Sequence, residues 1–351
     1  MIQKTAPQTT THTTKWIAPH SATHVFSLVC AMVALAGFSR PGIAAPNENG
    51  AKPRAALVQS KHRTPAQSAH RARALKVSQS SNAASNAVSY SQSYAAAGAS
   101  LGLKSNVALV IDQSTGETVI SKNVDDVHPV ASITKLMTAL VILESKTALN
   151  DRVEITAEDI DLERGSRSRL KVGAELSRNE LLHLALMASE NRAAHALGRS
   201  FPGGMSAFVD AMNTKARELG MLKTRFVDPT GLSSANVSTA SDLVKLVSET
   251  HRHATIRRYS TGESLQVNAG GRMVTFRNTN RLVASEAWDI GLSKTGFINE
   301  AGRCLVMQAK IQGRPLVIVL LDSWGKLSRI GDANRIRKWL STSVPRGPRQ
   351  A

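Results

Sequence analysis

The sequence predicts a mixed α/β (α+β) domain, in which an antiparallel sheet is covered by helices and a helical cluster lies in the middle of the chain. Strand-like patterns occur at both ends of residues 101–343, helical spacing fills the segment between them, and the connections are short. Strands from the two ends of such a segment can pair in one sheet, which the intervening helices then cover. The hydrophobic content of 42% is enough for one sizeable core.

The first half of this domain begins with a hairpin. "SNVALVIDQSTGETVISKN" (105–123) has two strand-like runs around a Ser-Thr-Gly turn, and "PVASITKLMTALVIL" (129–143) has the spacing of an amphipathic helix. A second helix is predicted in "LSRNELLHLALMAS" (176–189), where Ser177 and Glu180 have the spacing of a capping box.

Two further helices complete the helical cluster. "GGMSAFVDAMNTKARELG" (203–220) is expected to end at Gly220, and "STASDLVKLVSET" (238–250) is expected to be capped by Ser238 or Thr239.

Strand-like runs then return. "SLQVNAGGRMVTF" (264–276) contains a Gly-Gly turn, "IGLSKTGF" (290–297) reads as one strand, and "RCLVMQAKIQGRPLVIVLLD" (303–322) reads as a long hairpin. "GDANRIRKWLSTSV" (331–344) has the spacing of a closing amphipathic helix, and residues 344–351 are expected to be a short flexible C-terminus.

The N-terminus, residues 1–45, has the composition of a signal peptide. Lys4 and Lys15 precede the apolar run "VFSLVCAMVALAGF", and "GIAAP" supplies small residues for cleavage. Cleavage after Ala45 would place Pro46 at the disfavoured next position, so an uncleaved anchor stays open. We expect export to the periplasm, with loose membrane association as the alternative.

Residues 46–100 are predicted to be a disordered basic linker rich in Ala, Ser and Gln. Up to Ser100 the chain has ten Lys and Arg residues against the single acid Glu48, within a total net charge of +18. Aromatic residues are not interleaved with these cations, which argues against nucleic acid. Anionic envelope polymers or lipid headgroups are the expected partners, and a solubilising linker without a specific partner is the alternative.

Metal ions and cofactors are not expected. Cleavage of the signal would leave Cys304 as the single cysteine, so no intramolecular disulfide could form. No Cys/His cluster has the spacing of zinc ligands, and no glycine-rich phosphate loop follows a strand.

A first candidate motif is Ser132-x-x-Lys135, at the start of the helix in 129–143. Residues three apart lie on one side of a helix, so the amine could accept the proton of the hydroxyl and activate it as a nucleophile. A helix-capping Ser and a solvated Lys are the alternative. The same spacing recurs from Ser323 to Lys326, which includes Gly325 and is interpreted as a turn.

The second motif is Ser189-Glu190-Asn191, at a break between two helices. Its hydroxyl could relay a proton and its amide could hold a substrate backbone, whereas the alternative role of Ser189 is a helix cap.

The third motif is Lys294-Thr295-Gly296, on a predicted strand. A cation and a hydroxyl could bind a carboxylate there, because the glycine lets a ligand approach the backbone. An exposed edge Lys with a solvated Thr is the alternative.

The three motifs occur in the order known for penicillin-binding proteins and serine β-lactamases. The stretches "ASITKLMTALVIL", "LLHLALMASENRAAHAL", "ARELGMLKTRFVDPTGLSSANVSTASDL" and "FRNTN…LSKTGF…AGRCLVM" resemble the D-alanyl-D-alanine endopeptidase branch of the small penicillin-binding proteins. The resemblance runs from about Val107 to Leu340. It implies the penicillin-binding protein/serine β-lactamase-like fold, with the site between sheet and helical cluster.

By this resemblance four residues act in catalysis. Ser132 would be the acyl-ester nucleophile, Lys135 its proton acceptor, Ser189 the proton relay to the leaving amine, and Asn191 a contact to the substrate backbone.

The resemblance also implies a substrate-binding strand. Lys294 and Thr295 would hold the carboxylate beside the scissile bond, and Gly296 would allow the approach of the substrate. The backbone N–H groups of Ser132 and Phe297 would form the oxyanion hole.

The implied substrate is the D-Ala–meso-diaminopimelate cross-link of peptidoglycan, with β-lactams as covalent inhibitors. The small carboxypeptidases usually have Gly at the position of Glu190 and carry a further β-rich domain. This sequence has Glu190 and ends about ten residues after its closing helix, and both differences favour the endopeptidase. A D-alanyl-D-alanine carboxypeptidase remains the main alternative. A β-lactamase is disfavoured because "FVDPTGLSS" lacks the Glu that activates the deacylating water, and a non-catalytic wall-binding protein is the remaining alternative.

Overall fold

The structure is a computed structural model, and it describes residues 101–343. The predicted signal peptide (1–45), basic linker (46–100) and C-terminus (344–351) lie outside the described residues. No helix within 101–343 combines the length and the hydropathy that a membrane-spanning helix needs.

The domain contains a central five-stranded antiparallel sheet. In chain order the strands are β1 (Ser105–Asp112), β2 (Thr118–Lys122), β3 (His128–Pro129), β4 (Arg152–Glu154), β5 (Glu175–Ser177), β6 (Val237–Ser238), β7 (Ser264–Asn268), β8 (Met273–Arg277), β9 (Asp289–Ile298), β10 (Gly302–Ile311) and β11 (Arg314–Ser323). The order in the sheet is β2-β1-β11-β10-β9, so strands from the two ends of the domain pair side by side through β1 and β11.

The two predicted hairpins are confirmed as β1–β2 and β10–β11, and the strand-like runs around the predicted Gly-Gly turn pair as β7–β8. The sequence patterns did not predict the pairs β3–β6 and β4–β5. These strands have only two or three residues, too few for an alternating pattern to be recognised.

The helices are α1 (Lys135–Glu144), α2 (Arg178–Met187), α3 (Asn191–Arg199), α4 (Gly204–Glu218), α5 (Ala240–Arg252), α6 (Ala254–Thr261) and α7 (Ser328–Ser343), with 3₁₀ turns at Ala131–Thr134, Ala157–Asp159 and Arg281–Ala284. The capping box of Ser177 and Glu180 is confirmed, with both hydrogen bonds present. Thr239, not Ser238, caps α5 and accepts from the backbone N–H of Asp242. The short helix α6 was not predicted, because its sequence "ATIRRYST" buries few apolar side chains.

The two faces of the sheet pack against different layers, as the alternation along β11 shows. Val317 and Val319 belong to the large core shared with the helical cluster, whereas Ile318 and Leu320 belong to a second core shared with α7. Successive side chains of a strand point to opposite faces, so both faces are buried. The edge strand β9 lies against the 3₁₀ turn before α1, and this contact positions the candidate site.

Candidate active site

Ser132 lies in the 3₁₀ turn that precedes α1, and Lys135 is the first residue of that helix. The capping positions of the turn and of the helix are Val130 and Thr134, so Ser132 is not a helix cap. Residues i and i+3 are superposed in a 3₁₀ turn. The Nζ atom of Lys135 is accordingly 2.8 Å from the Oγ atom of Ser132.

Two glycines allow other segments to pack on the backbone around Ser132. A Cβ at Gly231 would lie 1.8 Å from the carbonyl oxygen of Ala131, and Gly231 itself has a φ of +78°. A Cβ at Gly296 would lie 3.0 Å from the carbonyl oxygen of Val130 and 3.1 Å from the backbone nitrogen of Ser132. Ser132 is therefore held between a loop and strand β9, and a larger residue at Gly231 or Gly296 would displace one of these segments.

The Lys135 ammonium group is fully buried and has two further partners. Its Nζ atom is 2.7 Å from Oδ1 of Asn191 and 2.6 Å from the carbonyl oxygen of Thr230. Both of these atoms can only accept hydrogen bonds. A neutral amine has two N–H groups and one lone pair, so it can donate to these acceptors and direct its lone pair at the hydroxyl of Ser132.

The electrostatic setting favours this neutral form. Burial lowers the pKa of Lys135 to about 7, although the carboxylates of Asp228 and Glu190 oppose the shift. A base with a pKa near neutrality can accept the proton of a Ser hydroxyl at the pH of the cell. The arrangement thus suits Lys135 to the predicted role of proton acceptor.

The second motif occupies the turn between α2 and α3. Ser189 has a φ of +58°, and its Oγ atom accepts a hydrogen bond from Nζ of Lys294 at 2.8 Å. Glu190 is the capping position of α3, so the alternative role of Ser189 as a cap is wrong. Asn191 accepts from Lys135 and donates from Nδ2 to Oγ of Ser166 at 2.9 Å. The turn therefore joins the first motif to the third.

The third motif lies on the edge strand β9, and the alternative of an exposed Lys is wrong because Lys294 is buried. Burial lowers the pKa of Lys294 well below its ordinary value, and the nearby charges of Lys135 and Arg329 lower it further. Thr295 is also buried, and its Oγ1 atom donates to Oγ1 of Thr279 at 2.7 Å. The amine of Lys294 therefore lies against Ser189, and an anionic substrate group beside it would favour the charged form that burial disfavours.

Sequence reasoning missed Arg329, which contacts the strand from α7. Its Nη1 atom donates to the carbonyl oxygen of Gly296 at 2.8 Å and to that of Cys304 at 3.1 Å. The Gly296 carbonyl and the Phe297 N–H belong to one peptide group and point in opposite directions. Arg329 thus orients the N–H that the resemblance assigns to the oxyanion hole. No local pattern marks this residue, because its contact depends on the packing of α7.

The two carboxylates near Lys135, those of Asp228 and Glu190, accept hydrogen bonds from loop residues. Oδ1 of Asp228 accepts from the backbone N–H groups of Thr230 and Gly231, at 2.6 and 2.7 Å. The sequence Asp-Pro-Thr-Gly could have indicated this turn. Glu190 is buried and accepts from the hydroxyl of Ser168, and its burial raises its pKa.

One group of side chains within 101–343 is close enough together to hold a metal ion: Glu144, Glu249 and His253. Glu144 already forms an ion pair with Lys215 at 2.6 Å and ends the helix that Lys135 begins. At a rise of about 1.5 Å per residue, these two ends are roughly 13 Å apart. The group is therefore separate from the three motifs.

Known proteins are similar to this domain in both sequence and fold. A D-alanyl-D-alanine endopeptidase from Pseudomonas aeruginosa is 48% identical over 242 residues, 68% of this chain and 78% of that protein. The D-alanyl-D-alanine endopeptidase of Escherichia coli is 43% identical, with the same coverage. The crystal structure of the Streptomyces K15 DD-transpeptidase aligns with a TM-score of 0.63 and 29% identity, over 68% of this chain and 97% of that one.

The resemblance and the fold class predicted from the three motifs are confirmed by these comparisons. The family model described as D-alanyl-D-alanine carboxypeptidase matches residues 92–325, which include all three motifs. The chain therefore belongs to the D-alanyl-D-alanine carboxypeptidase family of serine peptidases.

Proposed function

We propose that this protein is a serine D,D-endopeptidase that hydrolyses D-Ala–meso-diaminopimelate cross-links of peptidoglycan through an acyl-enzyme on Ser132. One observation carries the proposal: the buried amine of Lys135 lies 2.8 Å from the hydroxyl of Ser132, and its other two partners are pure acceptors. This geometry leaves the amine lone pair for the hydroxyl proton.

In the acylation step, Oγ of Ser132 attacks the carbonyl carbon of D-Ala and its proton passes to Nζ of Lys135. The backbone N–H groups of Ser132 and Phe297 stabilise the oxyanion. The C–N bond to the D-centre of diaminopimelate then breaks, and Ser189 relays a proton to the leaving amine. Lys294 and Thr295 hold the carboxylate beside that amine.

Water then hydrolyses the ester on Ser132 and releases the shortened stem. The same nucleophile forms an ester with β-lactams. Asp228 accepts hydrogen bonds from its own loop and Glu190 accepts from Ser168, and the segment 226–234 has no Glu in place of the one that activates water in a class A β-lactamase. We expect the penicillin adduct to be long-lived.

The substrate distinguishes the endopeptidase from the carboxypeptidase. Relatives at 48%, 43% and 41% identity are named D-alanyl-D-alanine endopeptidases, and those at 34% and below are named carboxypeptidases. These identities favour cross-link cleavage. A terminal D-Ala presents the same α-carboxylate to Lys294 and Thr295, so the carboxypeptidase remains the second candidate.

The test offers purified protein a D,D-cross-linked muropeptide dimer and a pentapeptide monomer side by side, with mass spectrometry of the products. We expect dimers to be split into monomers while the pentapeptide is untouched, and the Ser132→Ala variant to leave both intact. Loss of one alanine from the pentapeptide alone would make the protein a carboxypeptidase.

We further propose that the protein acts in the periplasm and that its basic linker, residues 46–100, contacts anionic envelope polymers or lipid headgroups. The support is the N-terminal signal pattern and the excess of Lys and Arg over acids in this segment. Fractionation of cells that express a tagged chain tests the first statement. Cosedimentation with anionic and neutral vesicles, compared for the full chain and residues 101–351, tests the second.

A further inference from the structure

A cleft of about 280 Å³ lies beside the end of strand β9, next to the candidate active site. The side chains of Phe297, Arg303, Trp324 and Lys326 line it, together with Gly302 and Gly325. We call it the end cleft. Its walls combine aromatic surface with two cations.

The aromatic side chains that line the end cleft are exposed to solvent, although burial of apolar surface would stabilise the fold. Trp324 is 67% exposed and Phe297 is 50% exposed, and the neighbouring Leu327 is 62% exposed. The turn that carries Trp324 is well held, because the hydroxyl of Ser328 donates to the Trp324 carbonyl. An apolar patch that is exposed and also held in place is typical of a binding surface.

The two cations of the end cleft are not neutralised by an ion pair within residues 101–343. The guanidinium of Arg303 lies 4.5 Å from the centre of the Phe297 ring, and Lys326 has no carboxylate partner there. Asp322 lies behind Gly302, but its Oδ2 atom accepts from Nδ2 of Asn106 at 2.7 Å. Even when the Asp322 carboxylate is counted, the two cations leave the end cleft with a net positive charge.

The direction of the substrate along β9 follows from the proposed roles. Lys294 and Thr295 hold the carboxylate on the leaving side, and the N–H of Phe297 lies at the scissile carbonyl. Thr295 and Phe297 are two residues apart on β9, which is about 6.6 Å along the strand at about 3.3 Å per residue. The acyl side of the substrate therefore continues beyond Phe297, toward the turn from β9 to β10, where Asn299 and Gly302 line the end cleft.

We propose that the end cleft binds the acyl-side stem peptide of cross-linked peptidoglycan, with Arg303 and Lys326 pairing with the free carboxylates of that stem. This inference rests on the proposed function, because it assumes that the acyl group comes from a stem peptide. The stem has a carboxylate on its γ-linked D-glutamate and another on its diaminopimelate, which complement two cations. Trp324 packs against the aliphatic part of the diaminopimelate.

The test uses the double variant Trp324→Ala/Lys326→Gln of the full chain, with Lys310→Gln as the matched control, since Lys310 is an exposed cation on the same sheet. One dimer has free stem carboxylates, and a second has the acyl-side carboxylates amidated. We expect the double variant to raise KM about tenfold for the first dimer and by less for the second, for which only the contact with Trp324 is lost. Acylation by penicillin, which lacks a stem, should stay within about twofold.

Equal KM values of the wild-type protein and the double variant for the first dimer would overturn the inference. If the wild-type protein cleaves neither dimer, the proposed function fails, and a titration still decides about the end cleft. The Ser132→Ala protein, with and without the two cleft changes, is titrated with the tetrapeptide monomer. An affinity about tenfold weaker in the cleft variant supports the inference, and equal affinities overturn it.

Discussion

Two clusters of charged side chains lie along one helix, α3, and they differ in how their charges are matched. Near the end of α3, Asp159 is buried and accepts from Nδ1 of His195 at 2.7 Å and from Nη2 of Arg199 at 2.9 Å. Burial alone would raise the pKa of Asp159, but these hydrogen bonds hold it below its ordinary value. This cluster joins the Ala157–Asp159 turn to α3 and stabilises the fold.

At the start of α3, Asn191 contacts Lys135, which belongs to a cluster with a second buried lysine, Lys294; burial lowers the pKa of Lys294, and the charge of Lys135 lowers it further. The pKa of Lys135 falls to about 7 because of burial. Opposite charges that are buried together keep their charge, whereas buried cations that lack a matched partner release protons. The first arrangement supports structure and the second supports proton transfer.

The largest expected effect follows from removing the nucleophile. Ser132→Ala should reduce the rate of penicillin acylation by about 10⁴-fold or more, because within residues 101–343 no other hydroxyl contacts the Lys135 amine. The mass of the intact protein after incubation with penicillin gives the result. The exposed Ser206→Ala is the control and should acylate normally. A full adduct on the Ser132→Ala protein would show that the nucleophile is elsewhere.

Replacement of the base separates catalysis from stability. Lys135→Met should slow acylation by about 10³-fold. The melting temperature should change little, because removal of a buried charge stabilises the fold, whereas loss of the hydrogen bonds to Asn191 and Thr230 destabilises it. Lys215→Met, which removes an ion-paired cation on α4, is the control and should leave acylation unchanged. A large loss of stability in Lys135→Met would contradict the comparison of the two clusters.

Asp159→Asn should lower the stability of the protein and leave the acylation rate nearly unchanged, the reverse of what is expected for Lys135→Met. It leaves Arg199 and His195 without their carboxylate, and we expect the free energy of unfolding to fall by about 2 kcal/mol. Both partners are partly exposed, which keeps the loss at the lower end for a buried ion pair. Urea unfolding gives the stability, and penicillin acylation in the native range should change less than about threefold. Acylation that falls as steeply as in Lys135→Met would show that the two clusters are coupled.

A change of pH is the mildest perturbation, because it replaces no side chain of the protein. With a Lys135 pKa of about 7, the acylation rate should fall about tenfold per pH unit below that value and level off above it. The unfolded chain keeps this proton up to about 10.5, so between these pH values it binds more protons than the folded chain. The free energy of unfolding should therefore rise with pH across this window.

Three further charged groups, Glu190, Asp228 and Lys294, face the same amine. Glu190→Gln removes a carboxylate that raises the pKa of Lys135, so it should shift the acylation profile to lower pH. A profile that is flat from pH 5 to 8 would argue against Lys135 as the base.

Much of the architecture could be predicted because its signals are local. The hairpins follow from turn residues between alternating runs, and the start of α2 follows from the pairing of Ser177 with Glu180. Helix α6 and the short strands β3 to β6 could not be predicted, since their stability comes from the surrounding segments. Each motif taken alone also allowed an ordinary structural role.

The sequence by itself determined the order and chemical type of the proposed catalytic groups, together with the periodicity that builds the sheet and its helices. Only the tertiary structure decided that Lys135 is buried against two pure acceptors, that Lys294 reaches Ser189, and that Arg329 orients the peptide group before Phe297. The physical reason is that a pKa and a hydrogen bond depend on which atoms surround a group. Those atoms come from segments about 30 to 100 residues apart in the chain.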